Sequence, residues 1–85
     1  MKEEQLRLFL YFVIVQEWLV VDVPSSLSFA ILFRKMKNTL DERFQGTYVM
    51  HEDAKVFTYD KMEPCDNAVS FALSGIVSGM SFIVY

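Results

Sequence analysis

The stretch Lys55–Tyr85, KVFTYDKMEPCDNAVSFALSGIVSGMSFIVY, decides the fold that this sequence predicts. It begins with the alternation of a strand, continues from Pro64 with apolar residues at helical spacing, and alternates again after Gly79. The last segment, Met80–Tyr85, therefore predicts a final strand. A strand, a helix and a strand in this order make up half of a small sheet domain.

The preceding residues supply a second unit of the same kind. Trp18–Val23, WLVVDV, is rich in β-branched residues and predicts a strand, whereas Ser26–Phe44 predicts a helix. Thr47–Met50 and Lys55–Tyr59 predict two strands of an antiparallel hairpin. The apolar face of the helix has three- and four-residue spacing and consists of Phe29, Phe33, Met36, Leu40 and Phe44.

Residues 1–17 precede this core as an extension that suits either a helix or a strand. The polar start of the chain is typical of a helix N-terminus, whereas β-branched Val13, Ile14 and Val15 favour a strand. We predict one domain over 1–85 with its core at 18–85. The predicted fold class is α+β, a ferredoxin-like βαββαβ arrangement with a four-stranded antiparallel sheet and two helices on one face.

Composition limits the classes of function. The chain has 85 residues, a net charge of -3 and a hydrophobic fraction of 53%, which argues against nucleic-acid binding by bulk electrostatics and leaves apolar surface for a partner. Cys65 is the one cysteine, so no internal disulfide can form, which favours a reducing, intracellular and cytoplasmic setting.

No membrane segment is expected. The apolar run Leu8–Val15 is far shorter than the ~20 residues of a spanning helix. Ala68–Tyr85 is uncharged, but serines and glycines interrupt it and predict that a helix ends inside it.

From about Trp18 to Tyr85 the sequence resembles the RNA recognition motif family. Asp66–Val69, DNAV, resembles the start of that family's second helix, and Ser28–Phe33, SFAILF, resembles its first helix. Leu19–Pro24 lies where the first-strand hexamer is expected. The resemblance implies the fold given above, and it implies a sheet face on which aromatic side chains stack single-stranded RNA.

The RNA-stacking signature itself is degenerate. With Tyr59 aligned as the last aromatic of the third strand, the stacking positions hold Val20, Ala54 and Val56. We therefore expect an aliphatic sheet face, covered either by the N-terminal Leu6–Val15 segment or by a partner. The predicted partner-binding face comprises Trp18, Val20, Ala54 and Val56, and its partner is another protein or a second copy of this chain.

Three functions follow from these patterns, and the first is favoured. It is a small non-catalytic interaction module, an adaptor or inhibitor that binds a protein partner in an RNA-handling complex. The second is an RNA-binding protein that uses the basic first helix in place of the sheet. Its predicted contact residues are Arg34, Lys35, Lys37, Arg43 and Tyr85.

The third function is a metal-dependent nuclease of ferredoxin-like fold, suggested by Asp22 at a strand end. His51 is the one histidine and has no zinc or nucleophile spacing with Cys65. We accordingly predict no catalytic residues, no metal site and no cofactor.

Overall fold

The computed structural model describes residues 4–45 and 54–85, which form a four-stranded sheet and one helix. The sheet order is β2-β1-β4-β3. The pairs β1–β2 and β3–β4 are antiparallel, whereas the central pair β1–β4 is parallel. The elements are β1 (Gln5–Phe12), β2 (Glu17–Pro24), α1 (Phe29–Phe44), β3 (Val56–Thr58) and β4 (Ser81–Val84).

Strand β1 lies inside the sheet and organises its packing. Its alternate residues Leu6, Leu8, Leu10 and Phe12 are buried and face the helix. The strand pairs with β2 along one side and with β4 along the other. The N-terminal segment is therefore part of the sheet, and the expectation that Leu6–Val15 folds over the sheet as a cover is wrong.

Helix α1 follows the predicted amphipathic pattern. The Ser28 hydroxyl accepts a hydrogen bond from the Ile31 amide at 3.3 Å and caps the first turn. Gln45, at φ 46°, ends the helix, and its amide donates to the Asp41 carbonyl. Of the predicted apolar face, four residues are buried and Met36 is half-buried.

The predicted second helix is absent from the described residues. Residues 67–75 form turns, and several of their backbone groups bond to distant parts of the chain. The Asn67 carbonyl, which a helix would offer to the Phe71 amide, instead accepts from the Ala30 amide at 3.0 Å. The Phe71 amide donates to the Leu27 carbonyl at 2.8 Å. These long-range bonds replace the helical ladder, and Gly75 then takes a left-handed φ of 74°.

The fold class predicted from the sequence is wrong as a result. The described residues have one helix and a mixed sheet, where the prediction had two helices and an antiparallel βαββαβ sheet. The predicted strands Trp18–Val23, Lys55–Tyr59 and Met80–Tyr85 correspond to β2, β3 and β4. The predicted strand Thr47–Met50 lies outside the described residues.

Helix α1 covers one face of the sheet and leaves the other face uncovered. We call the side that α1 covers the closed face and the opposite side the open face. Aromatic rings fill the closed face: the Phe29 ring lies edge-on to Phe71 at 4.9 Å and to Phe82 at 5.1 Å between ring centroids. Phe12 and Phe44 make a further ring contact at 5.4 Å. The closed face is the hydrophobic core of the described chain.

Candidate interaction surface on the open face

The strand register determines which side chains lie on the open face. Leu10 pairs with Leu19 and with Phe82 on the closed face, so the residues one position away point to the other side. Tyr11 accordingly lies between Trp18 and Ile83 on the open face, and Ile83 pairs next with Phe57. The open face thus carries Arg7, Phe9, Tyr11, Trp18, Val20, Asp22, Phe57, Tyr59, Ser81, Ile83 and Tyr85.

Three rings form an aromatic cluster on this face. The Trp18 indole lies 5.1 Å from the Tyr11 ring and 5.2 Å from the Tyr59 ring, both tilted. Trp18 is 45% exposed and Tyr59 is 50% exposed. Tilted contacts at such distances hold the rings in place while one side of each stays in water. The aromatic cluster, Tyr11, Trp18 and Tyr59, is therefore an ordered apolar surface.

A second aromatic pair lies at the β3 side of the sheet. Phe57 and Tyr85 meet edge-on with 5.5 Å between ring centroids. The Tyr85 amide donates to the Lys55 carbonyl at 2.9 Å, which holds the last residue against β3. The open face is therefore aromatic near both of its lateral margins.

An ion pair forms the polar end of the open face. The Arg7 guanidinium donates to both carboxylate oxygens of Asp22, at 2.9 and 3.2 Å. This hydrogen bonding lowers the pKa of Asp22 and raises that of Arg7. Both side chains are exposed, at 62% and 58%, so solvent screens the pair and its main effect is to fix the two side chains in position.

The predicted partner-binding residues lie in two different places. Trp18 and Val20 are on the open face, where Val20 is 52% exposed. Val56 is buried on the closed face opposite Val84, with 2% exposure, and half-buried Ala54 packs against the same core. Val56 therefore cannot contact a partner. The open face is aromatic where an aliphatic face was predicted, because the register that turns Val56 inward places Phe57 and Tyr59 on the open side.

The predicted RNA-contact residues also separate. Arg34, Lys35, Lys37 and Arg43 lie on the solvent side of α1, whereas Tyr85 belongs to the open face. Lys37 forms a salt bridge with Asp41 at 2.8 Å, and the Arg43 Nε lies 3.9 Å from a Glu17 carboxylate oxygen. These acidic side chains offset part of the positive charge of the helix.

The structure gives no assembled site for metal chemistry in the part it describes. No group of three or more histidine, cysteine or carboxylate side chains there is placed to hold an ion. Asp22, the residue that suggested a nuclease, bonds to Arg7. His51 lies outside the described residues. The Cys65 thiol is half-buried, and burial, aided by Glu63, raises its pKa.

The sequence patterns do not identify two members of the aromatic cluster, Tyr11 and Tyr59, as residues of an interaction surface. Tyr11 lies in the segment whose structure the sequence left open, and Tyr59 served only to align the third strand. The alternation of buried leucines in LRLFLYF, Leu6–Phe12, is the signal that places Tyr11 on the opposite face. No local signal indicates that Tyr59 approaches Trp18 across the sheet.

The arrangement of strands and helix matches known domains. A de novo designed protein based on ubiquitin superposes with a TM-score of 0.67 and 17% sequence identity, covering 95% of this chain and 87% of that one. The fold is the ubiquitin-like, β-grasp fold. No family model matches the sequence, and no curated protein matches it.

Two natural domains share this ubiquitin-like fold. The ubiquitin-like domain of the Mycobacterium tuberculosis type VII secretion system protein ECCD1 has a TM-score of 0.61 and 11% identity, with 95% of this chain and 97% of that one covered. The C-terminal ubiquitin-like domain of mouse tubulin-specific chaperone e has a TM-score of 0.64 and 15% identity, with 99% and 88% covered.

These comparisons overturn the resemblance to the RNA recognition motif. The structural neighbours are ubiquitin-like domains, and neither a family model nor a sequence match supports the RNA recognition motif. The residues that suggested it, Ser28–Phe33 and Asp66–Val69, are core and turn residues of the β-grasp fold. The described residues contain no helix with the length and apolar character needed to span a membrane.

Proposed function

We propose that this chain is a non-catalytic interaction module that binds a protein partner through its open face. The observation that carries the proposal is the exposed indole of Trp18, held between Tyr11 and Tyr59 by ring contacts. Tryptophan and tyrosine are enriched among the residues that dominate binding energy in protein interfaces. An ordered ring also loses little side-chain entropy when a partner covers it.

The contrast between the two faces supports this proposal. The closed face already has its cover in α1, whereas no described residue covers the aromatic cluster. Apolar area left in water loses about 25 cal/mol per Å² relative to buried area, so a partner that covers the rings gains that free energy. The solved neighbours agree with a small modular domain, since two of them are described as domains of larger proteins.

RNA binding through α1 is the weaker proposal. The net charge is -3, and two of the four proposed basic contacts lie beside carboxylates. Phosphate binding depends on cations that release counterions, so nearby acids reduce it. Membership of an RNA-handling complex, a role as adaptor or inhibitor, and a cytoplasmic setting stay predictions that rest on the sequence alone.

Replacement of Trp18 tests the proposal. Tagged wild-type protein is cross-linked in its native cells, captured with and without ribonuclease, and compared with Trp18→Ala. Leu73→Ala is the matched control, because Leu73 is 84% exposed and apolar but lies in the turns between β3 and β4. We expect a ribonuclease-resistant partner whose Kd rises roughly thirtyfold in Trp18→Ala, in line with a hot-spot loss of about 2 kcal/mol.

The control variant and an RNA titration make the outcome decisive. Leu73→Ala should bind the same partner as the wild type does. Equal binding by Trp18→Ala and wild type would remove the open face from the proposal. Tight, steeply salt-dependent binding of single-stranded RNA that is lost when Lys35 and Lys37 are replaced would favour the RNA-binding function instead.

A further inference from the structure

The two edges of the sheet are protected very differently. Edge strand β3 has three residues, and the chain that follows it turns back along its outer side. The Thr58 amide donates to the Glu63 carbonyl, the Cys65 amide donates to the Val56 carbonyl, both at 2.9 Å, and Phe57 forms a bridge with Pro64. The chain itself therefore satisfies the backbone groups of this edge.

Edge strand β2 has no such cover in the described chain. It has eight residues, all in unbroken register with β1, and it ends the sheet order. Within residues 4–45 and 54–85, no strand pairs with its outer side. A long, regular edge of this kind is a template for pairing with another strand.

The hydrogen-bond pattern identifies the backbone groups at this free edge. The Phe9 amide donates to Met80 and the Arg7 carbonyl accepts from Gly79, so the odd-numbered residues of β1 bond toward β4. The Ser25 amide donates to the Glu4 carbonyl, so the even-numbered residues bond toward β2. By the same alternation, Trp18, Val20 and Asp22 direct their amide and carbonyl groups outward.

Natural edge strands usually carry features that prevent pairing. Charged side chains, above all lysines, prolines within the strand and bulges are the common ones. Strand β2 has no lysine and no bulge, and its single proline, Pro24, stands at the end of the strand. Of its two acidic residues, Glu17 stands at the other end, and Asp22 is paired with Arg7 of the neighbouring strand. The side chains at the exposed positions include apolar Trp18 and Val20.

We propose that two copies of this chain pair through β2, antiparallel and about a twofold axis centred on Val20, to form one continuous eight-stranded sheet. This interaction goes beyond the proposed function, because it uses the backbone at the sheet edge and leaves the rings of the open face accessible. The twofold axis runs through the plane of the sheet from face to face, so both aromatic clusters lie on the same side of the joined sheet.

Self-complementarity favours a second copy as the occupant. In this register Val20 lies opposite Val20 of the second copy, and Trp18 lies opposite Asp22 of the second copy. All three outward-facing residues are then bonded, with about six backbone hydrogen bonds in total. A shift that moves the axis to Leu19 or Val21 leaves one end of the edge unpaired.

Charge supports the same register. Asp22 faces an aromatic ring, and Glu17 faces Val23 of the second copy, so no like charges lie opposite each other. Strand pairing of this length buries a small area compared with obligate dimers, so we expect a reversible dimer in the micromolar range or weaker.

Residue-resolved amide hydrogen exchange tests the pairing directly. Amides of Leu19, Val21 and Val23 should be protected at every protein concentration, because they bond to β1. Amides of Val20 and Asp22 should exchange quickly in dilute protein and become protected as concentration rises, in step with the mass from light scattering. A dimer whose Val20 and Asp22 amides stay unprotected, or a protein that stays monomeric at millimolar concentration, would overturn the proposal.

Val20→Pro provides an independent test. The Val20 amide points outward, so proline removes no bond to β1 and suits an edge position. Because Val20 meets its own copy, the change acts twice at the centre, and we expect the dimer Kd to rise at least about tenfold.

Two further variants interpret that result. Val20→Thr keeps the β-branched shape and the amide, and its dimer Kd should stay within about threefold of the wild type. Val20→Lys places like charges opposite each other and should dissociate the dimer even where Val20→Pro fails to fold. Unchanged dimerisation of folded Val20→Pro or of Val20→Lys would contradict the proposed axis.

Discussion

The closed and open faces belong to the same four strands, yet their side chains are buried to very different extents. On the closed face, every ring and aliphatic chain packs against α1 or its neighbours, and residues such as Leu8 and Phe82 have no exposed surface. On the open face, Trp18, Val20 and Tyr59 are about half exposed. The stability of the fold therefore comes mainly from one side of the sheet, and the other side contributes much less.

The two faces should differ most in the loss of stability that follows when a phenylalanine is replaced by alanine. Phe82→Ala empties the centre of the closed face, where its ring contacts Phe29, and should lower the free energy of unfolding by about 3–5 kcal/mol. Phe57→Ala, on the open face, should lower it by much less, because Phe57 is only half-buried. Urea unfolding monitored by far-ultraviolet circular dichroism measures both, and equal losses would contradict the division into two faces.

Two adjacent valines offer a closer comparison. Val21 is 9% exposed on the closed face and Val20 is 52% exposed on the open face, within the same strand. Replacing either by alanine changes strand preference equally, so the difference between them isolates burial. Val21→Ala should be less stable than Val20→Ala by about 1–2 kcal/mol. Thermal or urea unfolding at a concentration below dimerisation would show it, and the reverse order would refute the assigned register.

The smallest effect should come from the ion pair of the open face. Hydrogen bonding to Arg7 lowers the pKa of Asp22, so the stability it adds is present above the ordinary value of 3.8 and is lost as pH falls through the lower folded value. The free energy of unfolding of Asp22→Asn should therefore be slightly lower than that of the wild type at neutral pH. In strong acid the two values should be equal. In an Arg7→Gln background, Asp22→Asn should cause no pH-dependent change in the free energy of unfolding. A change that persisted there would mean that Asp22 acts through a contact other than Arg7.

The sequence predicted individual elements better than their assembly. The strand at Trp18–Val23 and the helix ending at Phe44 are present, because β-branched residues and a regular apolar spacing act locally. The predicted second helix does not form, because the backbone groups that would build it bond elsewhere. The Asn67 carbonyl bonds to the Ala30 amide and the Phe71 amide to the Leu27 carbonyl, both distant in the sequence. Local spacing carries no information about such partners.

The candidate site shows the same limit. Trp18 and Val20 were assigned to a partner surface, and both lie on the open face. Val56 was assigned there too, but the face to which a strand residue points depends on register, and a shift of one residue inverts it. Tyr11 lies beside Trp18 because β1 pairs with β2, whereas the Tyr59 and Trp18 rings meet across β1 and β4, which lie between β2 and β3. That strand order follows from the whole fold.

The parallel pairing of β1 with β4 has a consequence for how the chain folds. The Arg7 amide donates to the Ser78 hydroxyl across 71 residues of sequence, next to the first parallel pair. Contacts between such distant residues require closure of a long loop before they stabilise anything, which slows folding. Because β4 is the last strand in the chain, the buried leucines of the β1–β2 hairpin stay partly uncovered until this strand has docked beside β1.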